Sequence, residues 1–162
     1  MGKNKNKQPK KLEQYLNKAK NLCSKQEKCR SEILKKLDEW DASEEYHERI
    51  IEILLDEKYI DEVRYSSSFV RSKFRQNKWG RIKLKYALQQ KNIPQEIIQE
   101  VIYNEIPEEA YEECLHQLLV NKNLGLKGDH KMKKLSKMIS FGTNKGFEYE
   151  IVKSFSENIL SK

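Results

Sequence analysis

The densest concentration of one charge sign lies in the middle of the chain. Residues 66–94 contain eight Lys or Arg and no Asp or Glu, although the 162-residue sequence holds 25 acidic side chains. A solvated helix normally mixes charge signs, because opposite charges at i,i+4 stabilise it. Ammonium and guanidinium groups at this density neutralise phosphates or acidic protein surfaces. The segment therefore predicts a contact surface for a negatively charged partner. Its candidate residues are Arg71, Lys73, Arg75, Lys78, Arg81, Lys83 and Lys85.

Charge sign alternates along the rest of the chain. Residues 1–36 hold 12 basic and 3 acidic side chains, and residues 37–65 hold 3 basic and 11 acidic ones. Residues 95–118 hold 7 acidic and no basic side chains, whereas residues 119–162 hold 9 basic and 4 acidic ones. The alternation repeats about every 50 to 60 residues, a spacing typical of internal repeats.

Basic side chains in the other two basic blocks extend the predicted contact surface. The additional candidates are Arg30, Lys131, Lys133, Lys134 and Lys137. For the four lysines, a solvated helix face without a partner is an equal alternative to a contact surface.

Aromatic side chains lie within and beside the basic segment. Trp79 could stack on a base, but we favour the interpretation that it closes a small helical core. The apolar spacing likewise predicts that Trp40, Phe69, Phe74 and Tyr86 are core residues.

Apolar residues recur at helical spacing and predict helices throughout the chain. One stripe joins Ile33 to Leu37, another joins Leu84 to Leu88, and no alternating strand pattern competes with them. Pro94 and Pro107 stand where helices would begin, since proline is tolerated in a first turn.

The helices form a threefold internal repeat. A shift of 51 residues places Ile33 on Leu84 and Leu37 on Leu88, and a shift of 54 places Leu84 on Met138. We therefore predict an all-α fold of three tandem three-helix repeats, stacked into an elongated, curved array because one repeat alone buries little apolar surface. The predicted parts are a disordered basic tail (1–11) and repeats at 12–60, 61–105 and 106–162. The middle helices of the repeats would align their basic side chains along one ridge.

Composition argues against an enzyme. The sequence has a net charge of +7, three cysteines and three histidines. It contains no glycine-rich phosphate loop, nucleophile motif or metal-ligand spacing, so we predict no catalytic residue, metal or cofactor. Cys114 lies on an apolar stripe and is predicted to be an unreactive core thiol. The odd cysteine number and the absence of an apolar segment after the basic start favour a soluble protein of the cytoplasm.

The second repeat contains a distinctive order of residues. It begins with Asp61-Glu62 and Arg64-Tyr65, continues with Phe69-Val70-Arg71 and Gly80-Arg81-Ile82, and ends with Leu84, Leu88 and Lys91-Asn92-Ile93. This order resembles the central repeat of the RecX family, bacterial regulators of the RecA recombinase. The third repeat resembles the last repeat of that family through Lys145-Gly146-Phe147 and Ile151, and the likeness covers about residues 12–160. Departures are Glu62, where a second aspartate is common, and the longer segment 121–137.

The resemblance implies a regulator without catalytic activity. Such a protein lies in the groove of the RecA filament on single-stranded DNA and inhibits the recombinase, and thereby acts in recombination and DNA repair. The resemblance also implies that the protein is a monomer, that its partners are RecA and single-stranded DNA, and that it does not bind a membrane. The alternative is a general helical DNA-binding module that acts through its basic middle repeat alone. Sequence does not decide whether the basic ridge contacts DNA or the recombinase.

Overall fold

The computed structural model describes residues 8–162, and of the side chains those from Lys10 onward. The described residues form nine α-helices and no strand. The helices are α1 (Gln8–Lys25), α2 (Arg30–Glu39), α3 (Glu44–Asp56), α4 (Glu62–Asn77), α5 (Arg81–Gln90), α6 (Gln95–Glu105), α7 (Glu108–Leu124), α8 (Lys131–Asn144) and α9 (Tyr149–Ser161). A tail is predicted for residues 1–11. Residues 1–7 of it lie outside the described residues, and residues 8–11 belong to α1.

The helices pack in consecutive groups of three, which we call the first, second and third units. Helices α1–α3 contact one another, as do α4–α6 and α7–α9. The prediction of an all-α protein made of three-helix repeats is confirmed. Asp61 begins α4 as expected for a capping residue, since its Oδ1 accepts a hydrogen bond from the backbone N–H of Arg64 at 2.9 Å.

The same turn recurs after the middle helix of each unit. A left-handed residue follows the helix at Asp41, Asn92 and Gly146, with φ of 55°, 57° and 96°. The next residue then enters the core and donates its backbone N–H to the last turn of the middle helix, which satisfies a free carbonyl there. These backbone bonds join Ala42 to Leu37, Ile93 to Leu88 and Phe147 to Gly142. The repeat seen in the sequence therefore has a matching backbone conformation.

The apolar side chains form two separate cores. One core belongs to the first unit and contains Ile33, Leu37 and Ile50. The other extends through the second and third units, and Cys29 is the only buried residue that the described part of the first unit contributes to it. The second and third units therefore stabilise each other by shared apolar burial, whereas the first unit has its own core.

The contact between the second and third units, which we call the second joint, is formed by close backbone packing. Gly80 donates its N–H to the carbonyl of Lys145 at 2.7 Å, and Ile82 donates to Gly146 at 2.9 Å. A Cβ on Gly80 would overlap the backbone of Gly146, so the approach requires glycine there.

Tyr111 fills the second joint with its buried ring. It lies 4.8 Å from Phe147 and 6.2 Å from Phe74, measured between ring centroids. Its hydroxyl accepts the N–H of Arg81 at 3.1 Å and donates to Glu148 at 2.5 Å. Burial, together with the hydrogen bond to Glu148, raises the pKa of Tyr111.

The contact between the first and second units, which we call the first joint, is mainly polar. Arg64 donates to Glu27 at 2.7 Å, and Tyr65 donates its hydroxyl to Glu32 at 3.1 Å. Glu62 accepts the backbone N–H of Arg30 at the start of α2. Burial raises the pKa of the Glu62 carboxyl, although this hydrogen bond opposes the rise.

The prediction that Tyr86 is a core residue is wrong. Helix α5 turns Leu84 and Leu88 inward, and Tyr86 lies two positions from each, on the opposite side of a helix. Its side chain is 62% exposed, and Ile82 is 53% exposed for the same reason. Trp40, Phe69 and Phe74 are half-buried and pack against the cores, as the apolar spacing predicts.

Candidate nucleic-acid interface

A cationic cluster surrounds Trp79 in the turn between α4 and α5. Helix α4 ends at Asn77, and the next residue, Lys78, has a left-handed conformation (φ 58°). The backbone N–H of Lys78 donates to the carbonyl of Phe74 at 3.2 Å, and that of Trp79 donates to the carbonyl of Lys73 at 3.3 Å. The ammonium groups of Lys73 and Lys83 lie 5.0 Å and 4.7 Å from the centre of the Trp79 ring. Two like charges are thus held over one aromatic ring, each attracted by its quadrupole.

The third unit adds a lysine to this cluster. Lys145 donates its Nζ to the carbonyl of Asn77 at 3.2 Å, directly beside Lys78. Lys83 lies against Gly146, the residue after Lys145. Four lysines from two units therefore lie together, and we call Lys73, Lys78, Lys83 and Lys145 the Trp79 cluster.

The lysines of the Trp79 cluster have no carboxylate partner within 4 Å among the side chains from residue 10 to residue 162. Unpaired ammonium groups at short separations raise the local positive potential, and an anion that binds between them lowers their mutual repulsion. The arrangement can bind phosphate groups or carboxylates.

The arginines of the basic segment have different surroundings. Arg71 pairs with Glu105 at 2.9 Å. Arg81 binds Glu108 at 2.5 Å, and its guanidinium lies 3.8 Å from the centre of the Tyr111 ring. The Arg81 side chain is only 18% exposed, so its position in the second joint leaves little of it for a partner. Arg30 in the first unit pairs with Glu48 at 3.1 Å.

The candidate residues lie on two faces rather than on one ridge. Arg81 and Lys85 are one turn apart on α5, whereas Lys83 lies about 200° around the helix from Arg81. The same offset on α4 separates Arg71 and Arg75 from Lys73. Lys73 and Lys83 come together over Trp79, next to Lys78 in the chain, while Lys85 lines a different cleft, with Arg81 and the 83% exposed Tyr103.

The candidate lysines of the third unit differ in whether they contact a carboxylate. Lys133 and Lys137 hold Asp129 at 3.3 Å and 2.8 Å. The hydrogen bond from Lys137, followed by that from Lys133, lowers the pKa of the Asp129 carboxyl. Lys131 and Lys134 have no such partner in the described part of the chain, and Lys131 is exposed.

Sequence reasoning left Lys145 and Trp79 out of the predicted surface. The signal for Lys145 was present, because the 54-residue shift places Lys91 of the second unit on it. Trp79 was interpreted as a core residue, and it does pack against the shared core. Its half-buried ring also carries two ammonium groups, which the apolar spacing could not indicate.

Other reactive side chains lie apart from this surface. Burial raises the pKa of the Cys114 thiol, which favours the unreactive thiol form, and nearby Lys78 and Lys145 oppose the rise. The described residues contain no group of three or more His, Cys, Asp or Glu placed to hold a metal ion. None of the helices among residues 8–162 combines the length and apolarity needed to cross a membrane.

Comparison with known proteins identifies similar sequences over most of the chain. The family model for the RecX second three-helix domain matches residues 61–102. The chain is 30% identical over 148 residues to the regulatory protein RecX of Prosthecochloris aestuarii, which covers 90% of this chain and 93% of the relative. It is 31% identical over 141 residues to the Chlorobium phaeobacteroides protein of the same name, covering 86% of this chain and 89% of the relative.

A further relative is longer than this chain. The regulatory protein RecX of Clostridium acetobutylicum is 31% identical over 139 residues, which cover 81% of this chain but 64% of the relative. Among solved structures, RecX from Lactobacillus salivarius superposes with a TM-score of 0.82 at 25% identity. That superposition covers 91% of this chain and 95% of the crystallised one.

Proposed function

The chain belongs to the RecX family of regulatory proteins, and on this premise we propose that it binds the RecA filament on single-stranded DNA and inhibits the recombinase. The observation that supports this proposal best is the Trp79 cluster. Its four lysines come from two units and have no carboxylate partner in the described chain. Such a cluster is suited to a partner that presents regularly spaced negative charges.

A body of consecutive units is suited to a filament. Successive units can contact successive protomers or nucleotides, and each contact raises the effective concentration for the next. The shared core keeps the second and third units in a fixed relation, so the cluster is presented preorganised. We propose that the protein acts as a monomer in the cytoplasm and that it inhibits by occupying the filament rather than by catalysis.

The test is the ATPase activity of the cognate RecA on single-stranded DNA. We expect the protein to lower this activity at substoichiometric amounts, because one molecule contacts several protomers. A variant with Lys73, Lys78 and Lys83 replaced by Ala should inhibit much less. Unchanged ATPase activity at saturating native protein would contradict the proposal.

A second candidate function is DNA binding by the middle unit alone. The short turn between α4 and α5 supports it, because two helices joined this way can place one helix on DNA. The shared core argues against independent action, since Tyr111 of the third unit completes the packing around Phe74. Tight binding to duplex DNA combined with unaltered RecA activity would favour this second function.

A further inference from the structure

A groove of about 410 Å³ begins at the first joint and follows α4 toward Trp79. Tyr65, Phe69 and Lys73 line it from α4, and Lys28 lines it from the first unit. Because Lys73 belongs to both the groove and the Trp79 cluster, the two form one continuous surface. This surface therefore extends from the first joint to the second.

Aromatic rings form the floor of the groove. Tyr65 and Phe69 stack with centroids 6.2 Å apart and an angle of 21° between their planes. Phe69 meets Trp79 edge-on, again at 6.2 Å. Phe69 lines the groove, and Trp79 lies next to it beneath Lys73. Both residues are half-buried, so part of each remains accessible on this surface. Lys73 lies 5.9 Å from the Phe69 centroid, which places a positive charge directly over the floor.

The rim of the groove is polar. Ser68 and Ser72 supply hydroxyls one turn apart on α4, and Lys28 has no carboxylate partner among the side chains described from residue 10 onward. Two carboxylates also line the groove, but Glu27 is held by an arginine at 2.7 Å and Glu32 by Lys91 at 3.3 Å. The free charges of the groove are therefore positive.

We propose that this groove binds one strand of nucleic acid, with bases packed on Phe69 and Trp79 and phosphates on Lys28, Lys73 and Lys83. The inference deepens the proposed function, on which it rests, by assigning the DNA contact to this face. From Tyr65 to Asn77 the helix axis advances about 18 Å, which suits a site at the short end of known single-strand sites.

The aromatic floor is the reason for choosing a single strand. Bases of a duplex are stacked on each other and leave only phosphates for the groove, whereas an unpaired base has a free face for Phe69 or Trp79. An acidic protein segment would use the lysines without needing the aromatic rings. The pairing of both features favours a single strand over either alternative.

The first experiment measures the fluorescence of Trp79 in the full-length Trp40→Phe variant, in which it is the only tryptophan. Oligothymidylate of about 15 nucleotides should change this emission and bind at least about fivefold more tightly than an abasic strand of equal length, since each stacked base adds roughly 1–3 kcal/mol. Equal binding of the two strands without a change in emission would overturn the inference. Polyglutamate that binds as tightly as oligothymidylate would overturn it also.

A matched pair of variants tests the position of the groove. Ser68→Glu places a negative charge on the rim, and Ser154→Glu places one at an exposed position of α9, so both change the net charge equally. We expect Ser68→Glu to weaken oligothymidylate binding at least tenfold and Ser154→Glu to change it less than twofold. Equal effects of the two variants would refute the groove position.

The ATPase measurement separates this inference from the proposed function. If native protein inhibits RecA but abasic and normal strands bind equally, the regulator assignment survives and the groove inference fails. If Trp79 reports strand binding that Ser68→Glu abolishes, while RecA activity stays unchanged, the groove inference holds and the proposed function fails.

Discussion

Replacing Lys73, Lys78 and Lys83 together by Ala removes three of the four positive charges of the Trp79 cluster. These side chains have no carboxylate partner in the described structure, so their loss leaves no buried acid behind. The substitution should therefore alter strand binding more than folding. Its effect is expected to appear mainly in the salt dependence of binding, because each phosphate contact releases counterions.

The size of the effect follows from the number of contacts. A single strand contributes about 0.7 units of log–log slope per neutralised phosphate. With one phosphate on each of the four lysines of the Trp79 cluster, the cluster contributes a slope of roughly −2.8, and Lys145 alone contributes about −0.7 in the variant. Between about 50 mM and about 200 mM salt, the affinity of the native protein should fall roughly 50-fold and that of the variant about threefold.

Fluorescence anisotropy of a labelled oligothymidylate, titrated at several salt concentrations, measures both slopes. The matched control replaces three other lysines by Ala and so removes the same charge. Two of them hold carboxylates in the native structure: Lys20 binds Glu57 and Lys36 binds Glu39. The third, Lys153, lies on α9. If both triple variants flattened the slope equally, net charge rather than the cluster would govern binding, and the assignment of the site would be refuted.

Three further predictions concern the joints. Gly80→Ala should destabilise the protein by about 2–4 kcal/mol in chemical denaturation because its Cβ meets the backbone of the third unit, whereas Gly125→Ala should change little. Tyr111→Phe should cost about 1–3 kcal/mol, since it removes the hydroxyl that bonds the Arg81 N–H and the Glu148 carboxylate, and Tyr103→Phe at an exposed position should be neutral. The raised pKa of Glu62 means that the folded state binds its proton more tightly, so this group's contribution to stability falls as pH rises from about 4.5. In Glu62→Gln that part of the pH dependence should disappear from unfolding curves.

Each of these predictions has an outcome that contradicts it. A neutral Gly80→Ala variant would mean that the two loops at the second joint separate without cost. Equal stability of Tyr111→Phe and native protein would show that water replaces the hydroxyl. An unaltered stability–pH curve in Glu62→Gln would show that the carboxyl is not perturbed by burial in solution.

The apolar spacing was sufficient to predict the helices and their grouping. Ile33, Leu37, Leu84 and Leu88, which define the repeat in the sequence, are all fully buried in the structure. Helical periodicity is a local property, and a residue on the inner face of a short helix has few alternatives to burial. The same reasoning failed for Tyr86, because an aromatic residue in a ten-residue helix does not reveal which side faces the core.

The candidate site was harder to predict because charge partners are set by tertiary packing. Arg81 and Lys83 are two residues apart in one basic run, yet Arg81 binds Glu108, which is 27 residues away, while Lys83 lies over Trp79. Sequence could locate the excess of positive charge. It could not distinguish arginines that join two units from lysines that remain free, since that difference arises only when the units stack.

The two joints differ in how much apolar surface they bury, so the molecule is mechanically weaker at the first joint than at the second. Separating the second and third units would bring Tyr111 and Phe147 into water, at a free-energy cost that grows with the apolar area exposed. Separating the first unit would break ion pairs and hydrogen bonds that water can replace, and of the buried residues described in that unit it would withdraw only Cys29 from the shared core. Tension applied along the chain would therefore loosen the amino-terminal unit first and leave the remaining pair as a stiff block.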